Sequence, residues 1–580
     1  MTYRAPVDDL LFQLRHVAGF DDVAGLPGYD EGTAELAEPI LTEAGRLADE
    51  VLAPLNAFGD RTGAHMADGR VIMPDGFDAG RRAFADGGWA ALALPEDAGG
   101  QGLPWSLAFA VQELWQSANI AFGNCFLLSQ GAMELLNHHG TADQRARYLA
   151  PLAAGAWTGT MCLTEAQAGT DVGAIRTKAE PDGGGYRLTG TKIYITFGDH
   201  ALAENILHLV LARLPDAPAG TKGLSLFVVP KRLVGADGSL GDHNDVRCLS
   251  LEHKLGQHAS PTCVMSFGEA HGAWAELVGA PHDGMRCMFT MMNNARLSVG
   301  IQGLGIAERA FQQAQAFAEG RIQGHRNGAP APILDHPDVR RMLITMQSQI
   351  EAMRGLVLTA GAAIDHAAHD PDGEVRQRMA GRADLLTPIV KAWFTDLGVE
   401  LTSLAIQVHG GMGYIEETGA AQHYRDGRVP PIYEGTNGIQ AIDLAGRKLH
   451  LANGELPWQL FEELRQELRA LEQDDGGPLV APLRAALANC EAATRWLQGD
   501  HGRDEDAILA GASPYLRMMA QTLGGFVLVR GARAAAATGH PSAAGKAHRA
   551  RFYVEQLLPP ATALLPAVIA GSTSLEGAVS

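Results

Sequence analysis

The sequence predicts a mainly α-helical protein with a central β domain. Three observations carry this. Stretches rich in Ala, Glu, Leu and Met, with apolar residues three and four apart, fill the chain on both sides of residues 158–283. Inside that window the texture changes to short, β-rich runs bounded by turn residues. A length of 580 residues with 46% hydrophobic content leaves room for several cores.

The organisation expected is an N-terminal extension (1–35), a helical domain (36–157), a β domain (158–283), a helical bundle (284–452) and an additional C-terminal helical domain (453–580). Leu36–Leu52 and Ser106–Leu136 are rich in helix formers, and the Gly/Pro/Asp cluster beginning at Leu94 marks a loop between them. Tyr186–Thr196 alternates polar and apolar residues; Leu224–Val229 and Thr262–Phe267 are short β-rich runs. Met342, Met346, Ile350, Met353, Val357, Ala360 and Ile364 fall on one face of a helix over Val339–Ala368, a stripe that reads as bundle core. Thr387–Val408 is a further helix, with Pro388 expected in its first turn. Asn453-Gly454 and Asp474–Pro478 read as linkers, and the small, polar end from Gly571 is expected to fray.

The formal charge of −20 argues against nucleic acid or an anionic membrane as the main partner, because both need a basic face. Six scattered cysteines without a C-x-x-C pair suggest reduced, mostly buried thiols in a cytoplasmic protein, and no metal site is expected. No signal peptide and no membrane span are expected. P-loop, H-E-x-x-H and G-x-S-x-G motifs are lacking. Gly303-Leu-Gly305 and Gly411-Met-Gly413 begin like dinucleotide fingerprints, but Glu308 and Glu416 stand at the third glycine and no strand precedes either.

The segment Pro431–Gln440 sets a single carboxylate, Glu434, among apolar, aromatic and glycine residues. Such surroundings disfavour the charged form and suit a general base. Gly435 permits close backbone approach to a ligand, although a plain helix start explains the segment equally. Thr164–Asp171 offers hydroxyls and a glycine to a polar ring edge or a phosphate, or is an ordinary helix-to-strand connection. Gln407–Tyr414 is a glycine-rich C-cap or a phosphate cradle. Arg296 and Arg321 are solvated or salt-bridged helix arginines, or phosphate clamps.

In this order, Met161–Glu165, Ala168–Asp171, Gly190–Thr196, Gln407–Tyr414 and Ile432–Thr436 resemble the acyl-CoA dehydrogenase family over about residues 36–450. The N-terminal segment and the extra C-terminal module resemble its longer subfamily, which includes 3-methylmercaptopropionyl-CoA and broad-range fatty acyl-CoA dehydrogenases.

The resemblance implies an α-domain, a β-barrel-like domain and a four-helix bundle, with FAD bound without a dinucleotide fold. Thr164, Thr170 and Thr196 would face the flavin, and Thr436 would lie near the other end of the cofactor. Arg321, Gln407, Gly410 and Gly411 fall where the family contacts the FAD of a neighbouring subunit, so a homodimer is expected. Arg296 and Gly435 would lie on the substrate side. The implied reaction, part of fatty acid β-oxidation, removes the α proton with Glu434 and passes a β hydride to flavin N5, giving a trans-2-enoyl-CoA. Electrons would go to electron-transfer flavoprotein. Some relatives carry the base beside the active-site Arg; here that position is Ala295. Tyr194 stands where many members have Trp, and the Phe usual shortly after Arg321 is missing. An acyl-CoA oxidase and a flavoprotein without dehydrogenase activity are the alternative readings.

Overall fold

The computed structural model describes residues 3–30, 32–474, 477–499 and 504–575. Asp475 and Gly476 of the expected linker, and 576–580 of the expected fraying end, lie outside the described residues.

The stretch Ser106–Leu136, rich in helix formers, falls in two helices, Trp105–Ala118 and Ile120–His139. Asn119 separates them with φ −159° and ψ 91°, and its side chain accepts from the Phe122 N–H as an N-cap. A small hairpin, His65–Ala67 with Arg70–Ile72, interrupts the otherwise helical N-terminal part. Its turn is Asp68-Gly69, both left-handed, a pairing that favours tight hairpins.

The β domain closes on itself. Gly185–Thr196 pairs with Ala273–Val278, then Leu224–Pro230, then Asn205–Arg213; Lys178–Asp182 joins Asn205–Arg213 back to Gly185–Thr196. Leu188, Val210, Ala212, Phe227, Val229, Ala273 and Ala275 share one core cluster of this domain. Leu207, Leu209, Leu211, Leu226 and Val228, on the alternate positions, pack with Ala132 and Met291 of the helices. Asn205–Arg213 is thus buried on both faces and reads as a continuous apolar run.

In the bundle, the helix expected at Val339–Ala368 spans Pro337–His369 and buries its methionine stripe. The next helix runs Gly373–His409, so Pro388 sits mid-helix and not in a first turn. Pro388 lacks the donor for one ladder bond; the Thr387 hydroxyl donates to the Ala383 carbonyl beside it, and packing against the Gly284–Gly320 helix keeps the element continuous. Gly303 explains that close crossing: a Cβ there would lie 2.4 Å from the Phe394 carbonyl oxygen. Gly305 meets the Gln116–Ser117 backbone in the same way. The glycine pair that imitates a nucleotide fingerprint is a helix-packing device.

The helices Val7–His16 and Ala543–Phe552 both join this bundle. Arg354, 3% exposed, pairs with Asp9 (2.5 Å), Glu113 (2.5 Å) and Glu308 (2.9 Å). Lys546, 1% exposed, pairs with Asp9 (2.7 Å) and Glu351 (2.6 Å), and Arg549 reaches Glu351 at 2.5 Å. Burial pushes Glu113 up to about 7 against the pull of Arg354. By length and composition Ala543–Ile569 is apolar enough to cross a membrane. Here it is broken by a π turn at Tyr553–Leu557 and a new helix at Pro559, and it carries the buried Lys546 inward. All six cysteines are free, and five are buried.

Candidate active site

The turn carrying Glu434 joins the helices Ala420–Asp426 and Asn437–Ile442. Glu434 and Gly435 are both left-handed, with φ of 58° and 85°. For a non-glycine residue that conformation costs about 1–2 kcal/mol, so the surroundings must hold it. The Lys391 ammonium donates to the Gly435 carbonyl (2.7 Å) and to Asn437 Oδ1 (2.9 Å). Gln440 Nε2 donates to the Glu434 carbonyl (3.1 Å), and the Asn437 N–H donates to the Pro431 carbonyl (3.0 Å).

Tyr433 anchors the other side. Its hydroxyl donates to Gln302, whose Nε2 donates to Asn124 Oδ1 at 2.6 Å. Asn124 donates to Gln257 Oε1 at 2.7 Å, and the Gln257 N–H donates to Asp426. This relay ties the turn to three helices and to the β domain.

Glu434 is half-buried. Burial pushes its carboxyl up to about 7, against the lowering pull of Lys391 and Arg296. Burial likewise draws Lys391 down to about 7, against Glu434 and Asp396. Arg296, 5% exposed, lies beside the turn: its Nη2 is 3.9 Å from where a Gly435 Cβ would be. It also approaches Asn293 Oδ1 (3.4 Å), Asp443 (3.8 Å) and the Phe289 ring (5.7 Å). Its Nε has no partner among the described residues. Ala295 is buried in the apolar core.

The hydroxyl-bearing loop is fixed from beneath. Lys192, fully buried, donates to the Leu163 carbonyl and to Glu165 Oε1, both at 2.9 Å. Glu165 also accepts from the Thr177 hydroxyl (2.6 Å) and from the N–H groups of Arg176 (2.8 Å) and Thr177 (3.0 Å). The Ile193 N–H donates to the Thr164 carbonyl at 2.9 Å, which sets Thr164 beside the strand ending at Thr196. Thr164 and Thr196 are half-buried and Thr170 is exposed. Tyr194 and Phe197 are left-handed at 60° and 51°, and Tyr194 is 60% exposed. Thr436 is the N-cap of Asn437–Ile442, its hydroxyl accepting from the Ile439 N–H.

Arg321, Gln407, Gly410 and Gly411 gather elsewhere. The Phe317 and His409 rings are 4.6 Å apart, which sets the ends of Gly284–Gly320 and Gly373–His409 side by side. Arg296 and Arg321 are 25 positions apart along that one continuous helix and its cap, roughly 38 Å at about 1.5 Å per residue.

These residues suit FAD. Hydroxyls, backbone and an exposed aromatic ring offer contacts to a flat polar heterocycle. Gly410 holds φ 59° and ψ −139°, and neither Gly410 nor Gly411 has an atom within 4 Å of a would-be Cβ. That is bare backbone at an exposed helix end, beside the exposed Arg321, chemistry suited to a diphosphate.

Sequence reasoning passed over Lys391, Gln440, Asn437 and the Lys192–Glu165 pair. Lys391 left one signal: it is the single charge between Leu385 and Phe394.

Four family models match the chain in tandem: the N-terminal domain of acyl-CoA dehydrogenase over 36–156, its middle domain over 160–270 and its C-terminal domain over 282–449, then an acetyl-CoA dehydrogenase C-terminal-like domain over 460–578. A 3-methylmercaptopropionyl-CoA dehydrogenase of Ruegeria pomeroyi is 45% identical over 93% of this chain and 92% of the relative. A broad-specificity linear acyl-CoA dehydrogenase, FadE5 of Mycobacterium tuberculosis, is 34% identical over 77% of this chain and 75% of its own length. Among solved structures, Caenorhabditis elegans ACDH-11 in complex with C11-CoA superposes with a TM-score of 0.77 at 21% identity, covering 96% of this chain and 92% of that one. An acyl-CoA dehydrogenase from Bacillus anthracis complexed with FAD does so at 0.74 and 20% identity, covering 94% and 89%. At these identities the structural likenesses establish the fold.

Proposed function

Since the chain belongs to the acyl-CoA dehydrogenase family and carries out FAD-dependent α,β-dehydrogenation of an acyl-CoA thioester, we propose that Glu434 is the base of that reaction. The observation that carries the assignment is the site's charge arrangement. One half-buried carboxyl, raised to about 7, stands beside two cations, Lys391 and Arg296. A base poised near the working pH combines a usable deprotonated fraction with a real affinity for the proton. The alternative position beside Arg296 holds Ala295, which has no proton-accepting group.

Glu434 takes the α proton of the thioester. Its own backbone N–H, in the turn held by Lys391 and Gln440, is assigned to the thioester carbonyl, where negative charge grows as the proton leaves. Arg296 and Gly435 border the substrate side. Thr164, Thr170, Thr196 and Thr436 are assigned to FAD, which when bound supplies the hydride acceptor for the β carbon.

Arg321, Gln407, Gly410 and Gly411 are assigned to the FAD of a second subunit. The separation of roughly 38 Å along one helix supports this, because a single cofactor at Glu434 does not span it. The working unit is then a homodimer. The C-terminal helices cover the outer face of the bundle, which favours a dimer over a tetramer; a tetramer mass by native mass spectrometry overturns that reading. Electrons pass to electron-transfer flavoprotein, and the free thiols accord with a cytoplasmic setting.

For the acyl group we propose 3-methylmercaptopropionyl or a fatty acyl chain, on the strength of the relatives. The test is a panel of acyl-CoA thioesters, including 3-methylmercaptopropionyl-CoA, assayed with an artificial electron acceptor. No oxidation of any member overturns the substrate proposal. Peroxide formed at the rate of turnover identifies an oxidase. Glu434→Gln is expected to keep the yellow cofactor and lose about 10²–10⁴ in turnover, the range for a general base; a flavin that still bleaches at the wild-type rate overturns the base assignment.

A further inference from the structure

Lys391 neither accepts the substrate proton nor is assigned to substrate or cofactor, yet it is bonded to the turn that carries the base. It is a lone cation in an apolar helix segment, 0% exposed, and it points at the turn that carries the base. Burying an ammonium without partners costs several kcal/mol, so a lysine persists there only when its hydrogen bonds are well met. Its ammonium donates to two groups at the end of the turn, the Gly435 carbonyl at 2.7 Å and Asn437 Oδ1 at 2.9 Å.

The second partner is itself held. Asn437 Nδ2 donates to the Ala392 carbonyl (3.0 Å), to Thr395 Oγ1 (3.0 Å) and to Asp396 Oδ1 (2.7 Å). Every one of these groups lies on the Gly373–His409 helix, within a turn or so of Lys391. The contacts therefore form a clasp between one rigid helix and a turn with two successive left-handed residues. Without it, among the described residues, only Gln440 remains to hold the carbonyls of Glu434 and Gly435, and the strained turn is free to relax.

We propose that Lys391 is a positioning residue of the dehydrogenase: its ammonium clasps the Gly435 carbonyl and Asn437, and so fixes the direction of both the Glu434 carboxylate and the Glu434 N–H. The inference rests on the reading of Glu434 as the base. Lys391 also faces that carboxylate electrostatically, together with Arg296, while Asp396 faces Lys391 from its own helix.

The test uses the FAD-loaded enzyme and compares Lys391→Met with Asn437→Ala and Glu434→Gln. Lys391→Met keeps the length of the side chain without the charge. It is expected to retain wild-type flavin content, to lose 10-fold or more in kcat, and to move the acid limb of kcat/KM up by about 1–2 pH units, the scale of one removed neighbouring charge. Hydrogen–deuterium exchange of the peptide spanning 431–440 should speed up in Lys391→Met while the β domain is unaltered. Asn437→Ala removes one arm of the clasp and keeps the cation; it should speed the same peptide's exchange with a smaller shift of the acid limb. If Lys391→Met does not fold, Asn437→Ala decides the matter by exchange alone: unaltered exchange at 431–440 overturns the clasp. Wild-type kcat with an unshifted acid limb in Lys391→Met also overturns it, provided Glu434→Gln is inactive. If Glu434→Gln turns over normally, the base assignment has failed, and the clasp fails with it as a catalytic device.

Discussion

The Lys192 ammonium and the Glu165 carboxylate meet at 2.9 Å in the interior, directly beneath the loop that bears Thr164 and Thr170. Breaking a buried pair by removing one partner leaves an uncompensated charge, which typically costs about 3–5 kcal/mol. Lys192→Met is expected to lower unfolding stability by that order and to lose bound flavin before the helical bundle melts. Denaturant unfolding followed by flavin absorbance and by far-ultraviolet circular dichroism checks both.

The same carboxylate gives a pH dependence. Burial opposes its charge, but Lys192, the Thr177 hydroxyl and the Arg176 N–H bring it down to about 2 from an ordinary 4.5. A depressed carboxyl contributes stability that is present above about pH 4.5 and is lost as pH falls through about 2. Acid unfolding of Glu165→Gln should therefore be shallower over that window than wild type.

The base has the opposite sign. Burial holds Glu434 protonated below about 7, where it cannot accept the substrate proton. The rate constant kcat/KM is expected to rise with pH through about 7 and to level above it, while flavin content stays constant. A profile flat from pH 5 to about 9 counts against Glu434.

Gly435→Ala tests the turn directly. A Cβ would sit 2.9 Å from Gln440 Nε2, on a backbone with φ 85°. The strain of about 1–2 kcal/mol falls on the residue after the base. Turnover should drop by 10-fold or more with little change in melting temperature, measured by steady-state assay and thermal unfolding of the same preparation.

Arg354→Met should be the most damaging substitution outside the active site. It strands Glu113 and Glu308 and leaves Asp9 to Lys546 alone, at a cost of about 3–5 kcal/mol. Loss of soluble expression, or a melting temperature lowered by several degrees or more, is the expected result.

The α–β–α order, the methionine stripe and the special character of Pro431–Gln440 were legible because they are local. Periodicity and turn residues report on the nearest few residues. What was hidden depends on partners far along the chain. Pro388 reads as a helix start until the helix from Gly373 is seen packed against Gly303. Glu165 reads as one more acid in a loop until Lys192 is found under it, and Lys391 as a stray charge until Gly435 is found 2.7 Å away. The left-handed backbone of Glu434 leaves no mark in composition, since glutamate is not a residue that favours it.

Asp9 and Lys546 pair inside the protein although 537 positions separate them. A ribosome releases the first long before it makes the second. Until Lys546 and Arg549 have emerged, Asp9 lacks one of its two cations and Glu351 lacks both of its own, however complete the β domain and the bundle already are. A premature stop after the turn that carries Glu434 should therefore yield a chain that keeps every proposed site residue and still fails to seal, because the cations for Asp9 and Glu351 lie beyond it.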